Sequence, residues 1–314
     1  MTQQAHREVE HEITVAAPAD VVYRLIAEVE NWPRIFPPTV HVDHVERGPE
    51  QERIRIWATA NGAVKSWSSR RTLDPKALRI EFRQEVSAPP VAAMGGAWIV
   101  EPLSTTESRV RLLHDYRAVD DDPRSLAWID EAVDRNSRSE LAALKHNVEL
   151  ATAADDLLFS FEDTVQVDGS AKDVYDFLNE AQLWSERLPH VATVRLTEDT
   201  PGVQTLRMDT RTVDGHTHTT ESIRVCFPDE LIVYKQTTLP ALMSLHTGQW
   251  RLVPNTDGVA VTSQHTVVVN PGNITAVLGD DAGVEQARTH IRTALSANSR
   301  ATLGYAKSYA EGRR

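Results

Sequence analysis

The segment KSWSSRR groups side chains that could do chemistry if it forms a β-strand, because alternate strand residues share a face. One face then carries Lys65, Trp67, Ser69 and Arg71. If Trp67 points into the interior, Arg71 does too, and a buried guanidinium requires a partner or an anionic ligand. In the alternative, Trp67 belongs to the core and Arg71 is an ordinary surface residue.

A second candidate strand, SRVRLLHDYR, carries His114 and Tyr116 on the face that Val110 and Leu112 mark as inward. His114 is therefore a candidate pocket group, although a histidine satisfied within the core is the alternative. Asn136 lies near the apolar face of a later helix, and Asn is a poor helix former. It is expected either to hydrogen-bond into a cavity or to brace a neighbouring strand.

The chain contains an internal duplication. Residues 12–32 align with residues 164–184 at a constant spacing of 152, and Trp98 and Trp250 keep that spacing. Near the ends of the two halves, RNSRSELAALKHNVE aligns with ANSRATLGYAKSYAE at a spacing of 162. Ordered identities over a whole half predict two homologous domains, residues 1–153 and 158–314.

The second half repeats most of the candidate groups at equivalent positions. Its strand keeps a serine and an arginine at the same spacing, but Thr220 stands where the first half has Trp67. The predicted second pocket contains Thr220, Ser222, Arg224, His265 and Asn298.

The order of elements is the same in both halves. A strand leads into a helix at about residues 19–30, several strands follow, and a long helix closes each half at about residues 122–151 and 282–310. Trp32 follows the first helix in NWPRIFPP, either as a lid or as helix-end packing. The predicted class is α+β, with each domain a curved antiparallel sheet wrapped around a long C-terminal helix and enclosing a cavity.

Composition narrows the class of partner. The 314 residues contain 33 Lys and Arg against 45 Asp and Glu, a formal net charge of −12. Nucleic acid and anionic membranes are therefore disfavoured as partners. Cys226 is the single cysteine, which excludes an intrachain disulfide and favours a reducing cytoplasm. No targeting segment, membrane span, P-loop, GxGxxG, HExxH or GxSxG motif is found.

The ENWPRIFP segment, the alternation of Trp67, Ser69 and Arg71, and the complete second copy resemble the didomain aromatase/cyclases of bacterial type II aromatic polyketide synthesis. These proteins belong to the START-like (SRPBCC) helix-grip superfamily. The resemblance implies a poly-β-ketone substrate on an acyl carrier protein, made by a minimal polyketide synthase and reduced by a ketoreductase. It also implies first-ring aldol closure followed by loss of water, with no metal or organic cofactor. A homodimer is compatible with it.

The resemblance assigns roles that fit the residues. Arg71 would stabilise the oxyanion of the aldol step, with Ser69 or an ordered water relaying protons. His114 or Tyr116 would supply the acid for dehydration. The walls that fold the chain would be Trp32, Phe36, Trp67 and Trp98, with Asn136 as a further contact.

Three other interpretations remain open at this point. The protein could be a START-like carrier of a hydrophobic ligand, because a fold does not fix a function. It could be a template whose cavity shape steers cyclisation without acid or base. One half could serve only stability or dimerisation.

Overall fold

The computed structural model describes residues 6–60, 63–153, 156–211 and 217–313, which form two compact units, residues 1–153 and 154–314. Each unit is a seven-stranded antiparallel sheet with one long helix and several short ones. We refer to the units as the first and second domains. Within the described residues, no helix combines the length and apolar character that crossing a bilayer requires.

In the residues that the structure describes, the first domain contains seven strands and three α-helices, with short 3₁₀ turns at Val29–Asn31 and Val119–Asp121. In chain order the elements are β1 (Arg7–Val15), α1 (Ala19–Ala27), α2 (Trp32–Ile35), β2 (Thr39–Arg47), β3 (Gln51–Ala60), β4 (Ala63–Asp74), β5 (Arg79–Gln84), β6 (Val91–Pro102), β7 (Ser108–Ala118) and α3 (Pro123–Ala153). The order across the sheet is β1-β7-β6-β5-β4-β3-β2.

The second domain repeats this plan and adds one short helix before the last, with 3₁₀ turns at Ala181–Leu183 and Pro271–Asn273. Its elements are β8 (Leu158–Val167), α4 (Ala171–Asn179), α5 (Trp184–Arg187), β9 (Val191–Thr200), β10 (Val203–Arg211), β11 (Thr217–Phe227), β12 (Leu231–Thr238), β13 (Met243–Asn255), β14 (Gly258–Val269), α6 (Ile274–Leu278) and α7 (Val284–Glu311). The order across the sheet is β8-β14-β13-β12-β11-β10-β9.

Apolar stripes attach the long helices to the sheets. Leu141, Leu144 and Val148 lie on one face of α3 and are fully or almost fully buried. The corresponding stripe of α7 is Leu303, Ala306 and Ala310. Both stripes follow the i, i+3, i+7 spacing of a helix face. The predicted α+β class, with two helix-grip domains, is confirmed.

The first helix is shorter than predicted. The apolar pattern suggested a helix to about residue 30, but α1 ends at Ala27 and Glu28 adopts an extended conformation. The carbonyl groups of Ile26 and Ala27 accept hydrogen bonds from the side chain of Arg71. The Arg71 side chain thus supplies hydrogen-bond donors to carbonyl groups at the end of the helix, and this allows the chain to turn there.

We predict that Leu144→Ala lowers the free energy of unfolding by about 2–5 kcal/mol, because Leu144 is 0% exposed and its removal leaves a cavity against the sheet. Urea unfolding followed by tryptophan fluorescence measures the change. The matched control is Leu103→Ala, since Leu103 is 49% exposed. We expect this control to stay within about 0.5 kcal/mol of the parent. Equal losses in the two variants would contradict the packing described here.

Candidate active site

Strand β4 presents two different faces, as its alternating sequence indicates. Ser69 and Arg71 are buried and Trp67 is half-buried, whereas Arg70 is exposed. Lys65, at the start of the same face, is exposed. The inner face of β4 therefore delivers an indole, a hydroxyl and a guanidinium to the interior of the first domain.

The Arg71 guanidinium makes three hydrogen bonds to other groups of the protein. Nη1 donates to Glu52 Oε1 at 2.7 Å and to the Ala27 carbonyl at 3.1 Å, and Nη2 donates to the Ile26 carbonyl at 2.8 Å. The guanidinium carbon also lies 5.1 Å from the centre of the Trp32 ring, a cation–π distance. Arg71 thereby joins β4 to the C-terminal end of α1, where the helix dipole favours a cation.

Glu52 is a partner of Arg71 that the sequence analysis missed. It lies on β3 directly opposite Arg71 and is 8% exposed. Burial lowers the pKa of Arg71 to about 10, and the charge of Glu52 opposes this effect. Arg71 is therefore protonated at neutral pH. The alternation of Glu52 with Ile54 and Ile56 in ERIRI placed the carboxylate on an inward face, but the strand register was needed to pair it with Arg71.

Aromatic rings form a wall beside this ion pair. The Trp32 and Phe36 rings meet edge to face at 5.6 Å, and Phe36 lies 6.1 Å from Trp98. The indole N–H of Trp32 donates to the Ile26 carbonyl, so the ring and Arg71 share an acceptor. Trp67 packs on a neighbouring cluster that also touches Trp32. The structure brings together the four aromatic residues expected to line a cavity.

Two expected polar groups have partners in the framework. The Ser69 hydroxyl donates to the Arg83 carbonyl at 3.1 Å. The Tyr116 hydroxyl donates to Asp130 Oδ1 on α3 at 2.6 Å, in a separate cluster near the start of that helix. Burial, together with Asp130, raises the pKa of Tyr116 well above its usual value. Tyr116 is thus held as a neutral donor that ties β7 to α3.

His114 faces the long helix α3, whereas Asn136, which lies on that helix, points away from the sheet. His114 Nδ1 lies 3.3 Å from Ser137 Oγ, and the Phe82 ring meets the imidazole edge to face at 5.5 Å. Burial lowers the pKa of His114 to about 4, so the imidazole is neutral. Asn136 is exposed, so the prediction that it lies near the buried face of the helix is wrong. The next residue, Ser137, occupies that face.

The register of the sheet places these groups in one line, which we call the first-domain row. It runs across neighbouring strands through Glu52, Arg71, Phe82, Gly96 and His114, all directly paired. Directly opposed residues of paired strands share a face. The equivalent second-domain row is Gln204, Arg224, Tyr234, Gly248 and His265.

In the second domain the arginine keeps its place but loses its carboxylate partner. Arg224 Nη2 donates to the Leu178 carbonyl at 2.6 Å, and the guanidinium lies 5.4 Å from the Trp184 ring centre. These contacts repeat those of Arg71. The residue opposite Arg224 is Gln204, an amide instead of a carboxylate. Thr220 and Ser222 are buried on the same strand.

His265 lies in a dense polar cluster. Its Nδ1 is 3.0 Å from the Tyr234 hydroxyl and 2.9 Å from His246 Nε2, and its Nε2 is 2.7 Å from Ser299 Oγ. Asn298 is half-buried, while Ser299 faces the sheet. Burial lowers the pKa of His265 to about 4 and holds that of His246 well below its usual value. Both imidazoles are therefore neutral. Across the described ranges, no three potential metal-ligating side chains come together.

Comparison with known proteins gives consistent matches over both domains. A family model described as polyketide cyclase / dehydrase and lipid transport matches residues 6–149 and again residues 159–311. The chain is 53% identical to the granaticin polyketide synthase bifunctional cyclase/dehydratase of Streptomyces virginiae, over 94% of this chain and 97% of that protein. It is 47% identical to the actinorhodin polyketide synthase bifunctional cyclase/dehydratase of Streptomyces coelicolor, over 99% of each chain.

A solved structure extends this similarity to the fold. The crystal structure of the di-domain ARO/CYC BexL from the BE-7585A biosynthetic pathway matches 97% of this chain and 99% of that chain. The sequence identity is 68% and the TM-score is 0.93.

We predict that the buried ion pair is far less tolerant of losing one partner than of losing both. Glu52→Leu should cost about 3–5 kcal/mol of unfolding free energy, because it leaves the Arg71 cation buried and unpaired. The double variant Glu52→Leu/Arg71→Met should recover most of that loss, because no buried charge remains. Urea unfolding of both single variants and the double variant gives the coupling energy. Additive losses would show that the two side chains do not act as a pair.

We also predict a loss of stability in acid that originates at the buried histidines. The pKa of His265 is about 4 in the folded protein, below the ordinary value of 6.5, so the unfolded chain binds a proton first. The stabilisation is complete above about pH 6.5 and is lost as the pH falls towards 4. Urea midpoints measured across this range should fall less steeply for His265→Gln than for the parent. His290→Gln, at an exposed position, is the control and should follow the parent curve.

Proposed function

The chain belongs to the polyketide cyclase/dehydrase and lipid transport family, and on that basis we propose that it is an aromatase/cyclase of aromatic polyketide synthesis. It closes the first ring of a ketoreduced poly-β-ketone held on an acyl carrier protein and removes water from that ring. The observation that carries the proposal is the full-length relationship to polyketide synthase bifunctional cyclase/dehydratases, which includes both domains.

The aromatic wall of the first domain suits the ring-closing step. An aldol closure joins an enol carbon of the chain to a carbonyl carbon of the same chain, and that carbonyl oxygen becomes a hydroxyl. Trp32, Phe36 and Trp98 form rigid apolar surfaces against which a flexible chain can fold, and Trp67 lies beside them. Holding the two carbons close removes much of the entropic barrier.

Charge on the reacting oxygen is the second requirement. Arg71 is a fixed cation beside the aromatic wall, and its position needs no reorganisation when an oxyanion forms. Glu52 forms an ion pair with Arg71, so we propose that Arg71 acts through its electrostatic field and its fixed position. The neutral imidazole of His114 suits a base, whereas Tyr116, bound to Asp130, suits an anchor between β7 and α3. The Ser69 hydroxyl donates to the Arg83 carbonyl of the neighbouring strand, and we propose that its dipole polarises groups on the same face of the sheet.

The partners follow from the same proposal. A minimal polyketide synthase makes the poly-β-ketone, and a ketoreductase reduces one of its carbonyl groups. An acyl carrier protein holds the chain. The chemistry of aldol closure and dehydration needs proton transfer and oxyanion stabilisation, both of which side chains supply. We therefore propose a reaction that proceeds without a metal or organic cofactor.

The test is the product profile of a reconstituted minimal polyketide synthase and ketoreductase, with and without this protein. We expect the protein to replace shunt products with an aromatic first-ring product. Glu52→Leu/Arg71→Met removes the cation without stranding its partner, and we expect it to lower the yield of the aromatic product about 10²–10³-fold. Arg138→Ala, at an exposed position of α3, is the control.

Two outcomes would contradict parts of the proposal. An unchanged profile with the parent protein, when the carrier-bound chain is confirmed present, would favour a ligand carrier. Full activity in the folded double variant would favour a template that steers cyclisation by shape alone.

A further inference from the structure

The two rows differ at the residues that decide their chemistry. Glu52 of the first-domain row corresponds to Gln204 of the second-domain row, and Phe82 corresponds to Tyr234. Next to the histidine, Met94 on β6 corresponds to His246 on β13. The first change removes a carboxylate from beside the arginine. The other two add a phenol and an imidazole, which are groups that can move a proton.

Arg224 is a buried cation with a hydrogen-bonding group to spare. It is 2% exposed, and its Nη1 has no hydrogen-bond partner within the part of the chain that the structure describes. Gln204, which lies opposite Arg224, is an uncharged amide and does not neutralise it; its amide nitrogen donates to Asn179 and to Glu198. The free N–H groups of a buried guanidinium are costly unless an acceptor of negative charge fills the site.

The polar cluster leaves a second atom free. His246 is 2% exposed, and its Nδ1 also lacks a hydrogen-bond partner among the described residues. The chain of contacts from His246 Nε2 to His265 Nδ1, and from His265 Nε2 to Ser299 Oγ, is satisfied when both Nε2 atoms carry the proton. In this arrangement His246 Nδ1 has an unshared lone pair, as a base requires.

Tyr234 links the cation to the imidazoles. It is paired with Arg224 across one strand boundary, its hydroxyl lies 3.0 Å from His265 Nδ1, and its ring is 5.6 Å from that of His246. Gly248 makes this reach possible, because a Cβ at that position would collide with the Tyr234 ring and the Gln264 carbonyl. A pocket of about 250 Å³ adjoins the Gln204 end of the row.

We propose that the second domain is the dehydrating domain, with His246 as its catalytic base and acid, Arg224 as its oxyanion donor, and Tyr234 and His265 as positioning residues. This rests on the proposed function, since it divides the two reactions of that function between the domains. Its substrate is the ring-closed β-hydroxyketone, and its product is the dehydrated ring.

The step balances without any further reactant. His246 Nδ1 takes the proton from the carbon next to the ketone, and the C–H electron pair becomes an enolate whose oxygen is bound by Arg224 Nη1. The enolate then collapses to form the carbon–carbon double bond and breaks the C–O bond of the β-hydroxyl. The imidazolium returns its proton to the departing oxygen, so one water leaves and His246 is neutral again.

The first domain has a different residue at the positions of Tyr234 and His246, and its arginine has a carboxylate partner. Arg71 is paired with Glu52, and Phe82 and Met94 stand where the second domain has a phenol and an imidazole. His114 keeps only the serine contact of its counterpart, at 3.3 Å from Ser137. The geometry therefore favours folding and closing the chain in the first domain and proton transfer in the second.

The test introduces first-domain residues into the second-domain site, so each new side chain already fits an equivalent position. The variants are Gln204→Glu, Tyr234→Phe and His246→Met. A synthetic ring-closed β-hydroxyketone thioester serves as substrate, and the absorbance of the dehydrated product gives kcat and KM. We expect His246→Met to lower kcat about 10²–10⁴-fold. Gln204→Glu should lower kcat by up to about 10³-fold, because it neutralises Arg224.

Tyr234→Phe should lower kcat with little change in KM, as expected for a positioning residue. Matched controls are Tyr305→Phe and His290→Met on the exposed face of α7, which should behave like the parent. In the reconstituted synthase, the three site variants should accumulate the ring-closed β-hydroxy compound, which shows that closure continues.

Each contrary result has a distinct meaning. If variants with parent-like unfolding midpoints dehydrate the thioester at the parent rate, the second-domain assignment is wrong. Loss of the ring-closed compound itself would overturn the division between the domains. If the parent protein neither changes the synthase products nor dehydrates the thioester, the proposed function fails instead.

Discussion

Both domains depend on one contact, the bond between an interior arginine and the last carbonyl groups of the first helix. Arg71 reaches the Ile26 carbonyl from β4, and Arg224 reaches the Leu178 carbonyl from β11. Each arginine lies under a tryptophan that follows the same helix. The contact ends the helix, aims the aromatic wall and places a cation inside the sheet. The same guanidinium atoms therefore belong to both the framework and the site.

The duplication keeps this framework constant while the charge around it changes. In the first domain Glu52 forms an ion pair with the arginine, so the two charges compensate each other. In the second domain the uncharged Gln204 lies opposite the arginine, whose Nη1 has no hydrogen-bond partner among the described residues, and a phenol and two imidazoles lie beyond it. One backbone plan thus supports two electrostatic environments.

The sequence predicted the parts of the structure that depend on local periodicity. The repeat predicted two similar domains, and strand alternation predicted that Ser69 and Arg71 share an inner face. It did not predict Glu52 as the partner of Arg71, because that depends on the register between two strands. The predicted buried face of α3 was wrong by one residue at Asn136, because tertiary contacts decide which face of the helix packs on the sheet. The cluster around His265 was missed for the same reason, because its members come from three strands and a helix.

The glycine in each row limits which ring can lie beside it. A Cβ at Gly96 would collide with Phe82 and the Leu113 carbonyl, just as one at Gly248 would collide with Tyr234 and the Gln264 carbonyl. The space above each glycine is therefore filled by a six-membered ring, and Phe and Tyr occupy it with nearly the same volume. Their codons differ by one base, as do those of Glu and Gln. A single-base change at each of these two codons is therefore enough to exchange a carboxylate for an amide opposite the arginine, and a phenyl ring for a phenol above the glycine.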